Sequence, residues 1–124
     1  MKATTIGIDL AKTTFQVCAL NRAGKVISNR PVKRAALTET VAQLHPTRIA
    51  MESCAGAHHW GRTFQELGHE VILVPPQHVK PFVRGGKSDP RDALAICEAA
   101  RQPGLHPVPV KTTAQQDLQS LHRV

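Results

Sequence analysis

The sequence predicts an α/β fold, a mixed sheet carrying helices on its faces. Two patterns carry this. Residues 4–32 read as strand runs joined by tight turns, and beyond them helical spacing alternates with short buried-strand runs, the order that gives a mixed sheet. With 124 residues, 41% of them hydrophobic, the chain has material for one core.

Each element has its own signal. TTIGIDL (4–10) and TFQVCAL (14–20) are rich in β-branched and apolar residues, and Asn21-Arg22-Ala23-Gly24 before KVISNRPV reads as a hairpin turn. Three antiparallel strands therefore open the chain. Leu37, Val41 and Leu44 recur at helical spacing, which predicts a helix over 38–44 that stops before Pro46. Arg48 to Glu52 is a buried-strand run ending on an acid. Ser53 is a candidate cap for a helix over 55–67, closed by Gly68. HEVILVPP (69–76) is another buried strand, stopped by two prolines, and 77–88 reads as a basic loop with Lys80, Arg84, Lys87 and the Gly85-Gly86 pair. A helix is expected from Pro90 to about Arg101, then an extended piece, GLHPVPVK. Thr112 or Thr113 would cap a last helix with Leu118 and Leu121 on one face. That helix is still in progress at Val124, which suggests an N-terminal piece of a longer protein. There are no internal repeats.

Composition narrows the function. Sixteen Lys and Arg against nine Asp and Glu leave a formal charge of +7, a balance that favours polyanionic partners such as nucleic acid. Tyrosine is absent, so no mechanism can take a tyrosine nucleophile from this chain. Cys18, Cys54 and Cys97 are odd in number and widely spaced, which argues against a disulfide framework and for a reducing cytoplasm. With neither a signal-peptide pattern nor an apolar run near membrane-spanning length, a soluble cytoplasmic protein is expected.

The few acids are the informative residues. Asp9 follows Ile6-Gly7-Ile8, and strand alternation sets it on the face of Gly7, opposite Ile6 and Ile8. Glu52 ends the fourth strand. Asp89 and Asp92 sit three apart where a loop becomes a helix, so both point to one side. Taken alone, that pair has a plain reading: Asp89 as N-cap, Pro90 at N1, and Asp92 at N3 complementing the helix dipole. Glu52 could be a solvated strand end and Asp9 a turn former. Taken together the plain readings weaken. If the first strand is central with the fourth beside it, Asp9 and Glu52 are neighbours and the Asp89 helix can dock over them. Four converging carboxylates repel unless a cation lies between them, and hard oxygen ligands select Mg²⁺ or Mn²⁺. Such ions serve phosphodiester chemistry, and the basic loop 80–87 would suit a nucleic-acid backbone beside the site.

Several motifs in register carry a resemblance. IGIDLAKTTFQV, IAMESCAGAHHWGRTFQELGHEVILVPPQHVKPFV, GKSDPRDALAICEAA and VPVKTTAQQDLQSLHR closely resemble the DEDD transposases of bacterial insertion sequences. These form the one-ten family, its eleven-eleven branch in particular, and are related to the Piv-type DNA invertases. The likeness covers nearly the whole chain. It implies a ribonuclease-H-like (RuvC-like) fold whose acidic tetrad binds divalent metal, and carried over the tetrad falls on Asp9, Glu52, Asp89 and Asp92. It further implies a catalytic domain over 1–110, the start of a helical linker or coiled coil over 111–124, and a C-terminal domain elsewhere that bears a serine nucleophile. Ser28, Ser53, Ser88 and Ser120 are therefore read as cap or surface residues. DNA is the implied substrate, a structured guide RNA an implied partner, and homo-oligomerisation is expected of the full-length protein.

Other residues have rival readings. Cys54, His58 and His59 lack the second ligand pair that zinc would need, and His58-His59-Trp60 reads better as a helix segment with Trp60 and Phe64 packed on the sheet. One of the histidines remains a candidate to approach metal or phosphate. Lys12, Lys80, Arg84 and Lys87 are the candidate nucleic-acid contacts. Phe15 and Phe82 read as core or loop anchors rather than a base-stacking platform. Two rival functions stand: an actin-like-fold small-molecule kinase, weakened by the lack of glycine in DLAKTT, and a non-catalytic nucleic-acid-binding module.

Overall fold

The computed structural model describes residues 2–85 and 88–122, with side chains through 118. Strands β1 (Thr5–Asp9), β2 (Thr14–Leu20) and β3 (Val26–Lys33) form the expected antiparallel meander. At the β2–β3 turn the Asn21 side-chain oxygen accepts the backbone N–H groups of Ala23 and Lys25, while Gly24 takes a positive φ of 86° that its lack of Cβ permits. Strands β4 (Arg48–Glu52) and β5 (Glu70–Val74) add in parallel to the other side of β1. The order β3-β2-β1-β4-β5 leaves β1 central with β4 beside it.

Period-two alternation sorts the core into two layers. Ile6, Ile8, Phe15, Val17, Ile49, Met51 and Leu73 face α1 (Arg34–Ala42) and α2 (Ala55–Glu66), meeting Leu37, Val41, Trp60 and Phe64. Gly7, Cys18, Leu20, Ala50, Ile72 and Val74 lie on the opposite face, under α4 (Asp89–Ala100), whose Ala93, Ala95, Ile96, Cys97, Ala99 and Ala100 are buried. Helices thus cover both faces of a mixed sheet, as the sequence predicts.

Three local expectations need correction. Helix α1 starts at Arg34, four residues before the expected 38, and its cap residue Lys33 makes no side-chain capping bond. The chain passes from β3 into the helix without a loop because the Arg34 N–H is taken by the Thr13 carbonyl and Leu37 and Val41 bury one turn apart. Second, the stretch 77–88 is not all loop. Helix α3 (Pro76–Val79) and a 3-10 turn (Lys80–Phe82) form because Pro76 is pre-set for a first helical position and Val79 is buried beneath α4. Third, Cys54 rather than Ser53 is the cap residue of α2, again with no side-chain capping bond.

The α2 terminus fits its glycine. Gly68 (φ 94°) donates to Gln65 O and His69 to Phe64 O, a Schellman closure. Beyond α4, Val108 pairs with Leu73 in a single antiparallel bridge, and α5 (Thr113–His122) follows. Thr112 is its cap: the hydroxyl accepts the Gln115 N–H at 3.1 Å while the Gln115 side chain accepts the Thr112 N–H at 2.8 Å. The Arg62 guanidinium on α2 holds this segment by donating to Lys111 O and Gln116 Oε1. Among the described residues no helix is long and apolar enough to cross a membrane.

A candidate metal centre at the carboxyl end of the central strands

Asp9 is the last residue of β1 and Glu52 the last of β4, one step beyond the Ile8–Met51 pair of the parallel ladder. Both extend from the α4 side of the sheet. The helix reaches them because Gly7 has no side chain: a Cβ there would stand 2.5 Å from Cys97 Sγ and 2.7 Å from the Ala93 carbonyl oxygen. With α4 pressed onto β1 at this point, its first turn overhangs Asp9.

That first turn is set one residue earlier than expected. Ser88 carries the extended cap conformation, and its carbonyl accepts the first intrahelical bond from Asp92 N–H at 3.0 Å. Asp89 is therefore the first helical residue and Asp92 the fourth, so the reading of Asp89 as N-cap and Asp92 as N3 is corrected. Both acids still lie in the turn where the helix dipole favours negative charge. A side-chain relay fixes the turn from the other side. Gln16, the residue across from Asp9 in the β1–β2 ladder, donates to Asn29 Oδ1 at 2.8 Å, and Asn29 Nδ2 donates to Pro90 O at 2.9 Å.

The result is a cluster in which ligand oxygens of Asp9, Asp89 and Asp92 all lie within 4.8 Å of one another. Asp9 and Asp92 are half-buried and Asp89 is exposed. The Asp9 carboxyl is pushed up to about 6, first by burial and then by the charges of Asp92, Asp89 and Glu52 in that order. Glu52 stands apart from the three. It is exposed, but it lines with Asp9 and Asp92 a cleft of about 340 Å³ whose apolar wall is Val79, Val83 and Ile96. The donor set is all-oxygen and carboxylate-only, and burial together with the neighbouring charges has raised one member. It suits a hard divalent cation such as Mg²⁺ or Mn²⁺ better than a soft one.

The basic candidates divide. Lys80 lines the acidic cleft. Lys12 is exposed in the turn after Asp9, and Arg84 is 79% exposed while its Nη2 contacts Glu98 Oε2 at 3.3 Å. Lys87 lies outside the described residues. Arg34 went unnoticed in the sequence: its guanidinium lies 5.8 Å and 5.6 Å from the Phe15 and Trp60 ring centroids and donates to Lys12 O. It braces the turn that follows Asp9. Only the fold brings it there; no spacing in the sequence announces it. Asn29 and Gln16 escaped notice for the same reason.

The histidines have other tasks. His58 is buried, and its Nδ1 accepts the Lys111 N–H at 3.0 Å; burial, then Lys111 and Arg62, hold its pKa below the usual imidazole range. It anchors the 104–111 segment. His59 is exposed and lies edge-on to Trp60. Among the described residues the aspartates form the one group of three His, Cys, Asp or Glu close enough to hold a metal. Phe15 is core, Phe82 packs under α4, and Ser88 is a cap. The side chain of Ser120 lies outside the described residues.

A mixed five-stranded sheet of this order, with helices on both faces, matches solved structures in fold. Thermus thermophilus RuvC aligns over 84% of this chain and 99% of its own, with a TM-score of 0.60 at 17% identity. The same protein in complex with Holliday junction substrate gives 0.57 at 16% identity, covering 84% and 98%. The class is therefore a RuvC-like, ribonuclease-H-like domain. The chain belongs to the IS110-type DEDD transposase family, whose model, described as "Transposase", matches residues 6–124.

Named relatives agree. A probable family 20 transposase of Pseudomonas aeruginosa is 50% identical over 124 residues, which is 100% of this chain and 37% of that protein. The transposase for insertion sequence element IS1111A of Coxiella burnetii is 47% identical over 119 residues, 96% of this chain and 33% of the relative. The transposase for IS1328 of Yersinia enterocolitica is 45% identical over 121 residues, covering 98% and 36%. The chain thus spans about a third of the length of the curated relatives it matches. Membership sets the kinase reading aside.

Proposed function

We propose that this chain is the metal-binding catalytic domain of an insertion-sequence transposase that cleaves and joins DNA strands. The observation that carries the reading is the meeting of Asp9, Asp89 and Asp92 within 4.8 Å at the end of the central strand, with Glu52 on the same cleft. These four residues would hold Mg²⁺ or Mn²⁺. When bound, such a cation supplies Lewis acidity toward a phosphodiester oxygen and eases deprotonation of an attacking hydroxyl or water. The chain's own contribution is to position: Asp9 from the sheet and Asp89 with Asp92 from α4 converge from two elements whose relation is fixed by the Gly7 contact and the Gln16–Asn29 relay. The apolar wall of Val79, Val83 and Ile96 limits water on one side of the cleft.

DNA is the proposed substrate, in keeping with the +7 charge and with the junction-bound RuvC relative. Lys80, Lys12, Arg84 and Lys87 are its proposed backbone contacts near the cleft. A structured guide RNA is the second proposed nucleic-acid partner. Residues 1–110 act as the catalytic domain, 111–124 begin a helical linker, and the full-length protein works as a homo-oligomer in the bacterial cytoplasm, at the nucleoid. Leu118, 58% exposed on α5, is one side chain such self-association would cover.

The test is DNA strand cleavage at the element ends by the full-length transposase in Mg²⁺. Asp9→Asn and Asp92→Asn are expected to abolish cleavage while DNA binding persists. Cleavage at the wild-type rate by both would remove these carboxylates from the chemistry.

A further inference from the structure

The end of the sheet opposite the acidic cluster carries a larger concavity, about 540 Å³, and its chemistry is of the opposite sign. It is lined by Arg22 from the β2–β3 turn, Arg48 from the start of β4 and Arg101 from the end of α4, with Thr4, Thr5 and Thr47 between them. Among the described residues the single acid on its wall is Glu70, leaving the groove net positive.

Two of the arginines have partners beside the groove. Arg101 donates to Arg22 O and lies across Gly24, where any Cβ would collide with its guanidinium. Arg48 Nε is paired with Glu70 Oε2 at 3.0 Å, which uses one of its five donors. Arg22 is exposed in the turn. Guanidinium forks with donors to spare suit tetrahedral phosphate oxygens, and an open, polar groove suits a chain that runs through it better than an enclosed small molecule.

The groove is far from the metal centre. The five residues of β1 separate Thr5 from Asp9 by about 13 Å at ~3.3 Å per residue. The twelve residues of α4 run about 18 Å at ~1.5 Å per residue from the aspartates toward Arg101. No atom of the cleavage site can share a phosphate with it.

We propose that this arginine groove binds the phosphodiester backbone of a nucleic-acid segment other than the one at the acidic cluster. The segment is either DNA flanking the reacting strand or RNA, and both offer the same phosphates. The proposal does not need the carboxylates to hold metal.

The test is fluorescence anisotropy with this chain in EDTA, using a 20-mer duplex DNA, a 20-mer single-stranded DNA and an RNA hairpin as separate probes across 50–200 mM salt. The double variant Arg22→Gln/Arg101→Gln is expected to weaken at least one probe about tenfold or more, and to flatten its salt slope by roughly 0.7–0.9 for each phosphate left without its arginine. Its thermal stabilisation by Mn²⁺ should match wild type. Because Arg101 braces the β2–β3 turn, Arg22→Glu serves as a second variant in a residue exposed in that turn. The probe whose affinity drops most identifies DNA or RNA as the occupant. Wild-type affinity and salt slope for every probe, in both variants, would overturn the proposal.

Discussion

The Asn29 side-chain amide donates to the carbonyl of Pro90 at 2.9 Å, tying strand β3 to the first turn of α4 across 61 residues of sequence. Because Asn29 also accepts from Gln16, which lies across the ladder from Asp9, one relay joins the two halves of the aspartate cluster. Asn29→Ala is expected to cost only about 0.5–1.5 kcal/mol of stability. Its larger effect should fall on metal affinity, since Asp89 and Asp92 lose their reference to Asp9. Mn²⁺ titration of the variant checks this, and unchanged affinity would dismiss the relay as a positioning device.

Gly7 sets how closely α4 can lie on the sheet. A methyl group there meets Cys97 Sγ and the Ala93 carbonyl, the latter a backbone atom that cannot rotate aside. Gly7→Ala should destabilise the domain by about 1–3 kcal/mol through overpacking. Urea denaturation measures it. A midpoint equal to wild type would mean that the helix shifts without cost.

The raised Asp9 carboxyl gives a signed pH dependence. Its folded value is about 6 against an ordinary 3.8, so between these values the folded state holds a proton that the unfolded chain has released. Without divalent metal, stability should fall as pH rises through that window, and the loss should persist above it. Asp9→Asn should therefore gain on wild type as pH rises from 4 to 7 in EDTA. Mn²⁺ affinity of the wild type should rise over the same range, because metal and proton compete. A stability difference that does not change with pH would contradict this.

His58 separates structure from chemistry. Its imidazole accepts the Lys111 N–H, and its depressed pKa makes its contribution one that is present at neutral pH and lost on acidification below the usual imidazole value. His58→Ala should destabilise by roughly 1–3 kcal/mol, because the half-buried Lys111 N–H loses its imidazole acceptor and the ring leaves its buried place, with Mn²⁺ affinity untouched. Calorimetry with and without metal distinguishes the two effects. Loss of metal binding in this variant would return the histidine to the site.

The sequence made visible what depends on local pattern. Strand alternation set Asp9 on the face of Gly7 and away from Ile6 and Ile8, and the meander followed by αβ alternation implied a mixed sheet; that β1 is central with β4 beside it, the condition for Asp9 and Glu52 to be neighbours, came from the sheet order itself. What stayed hidden depends on tertiary geometry or on missing signals. Helix α1 begins at Arg34, after a cap residue, Lys33, that makes no side-chain capping bond, so no residue marks its start. Helix α3 forms in a stretch that reads as loop because Val79 finds a place beneath α4. The cap of α4 fell on Ser88 although Asp89-Pro90 reads as the better cap, and that one-residue offset puts Asp89 inside the helix. The Gln16–Asn29–Pro90 relay and the Arg34 brace join residues distant in the chain, which no spacing announces.

The most direct measurement is thermal unfolding of wild type and Asp9→Asn, each titrated with Mn²⁺ at pH 7.5. A ligand that binds only the folded state stabilises by about 2.7 kcal/mol at a hundredfold excess over Kd. Wild type should show a saturable rise of this kind, and Asp9→Asn little or none over the same range. Equal stabilisation of both proteins would contradict a cation held between β1 and α4, and with it the proposed phosphodiester chemistry.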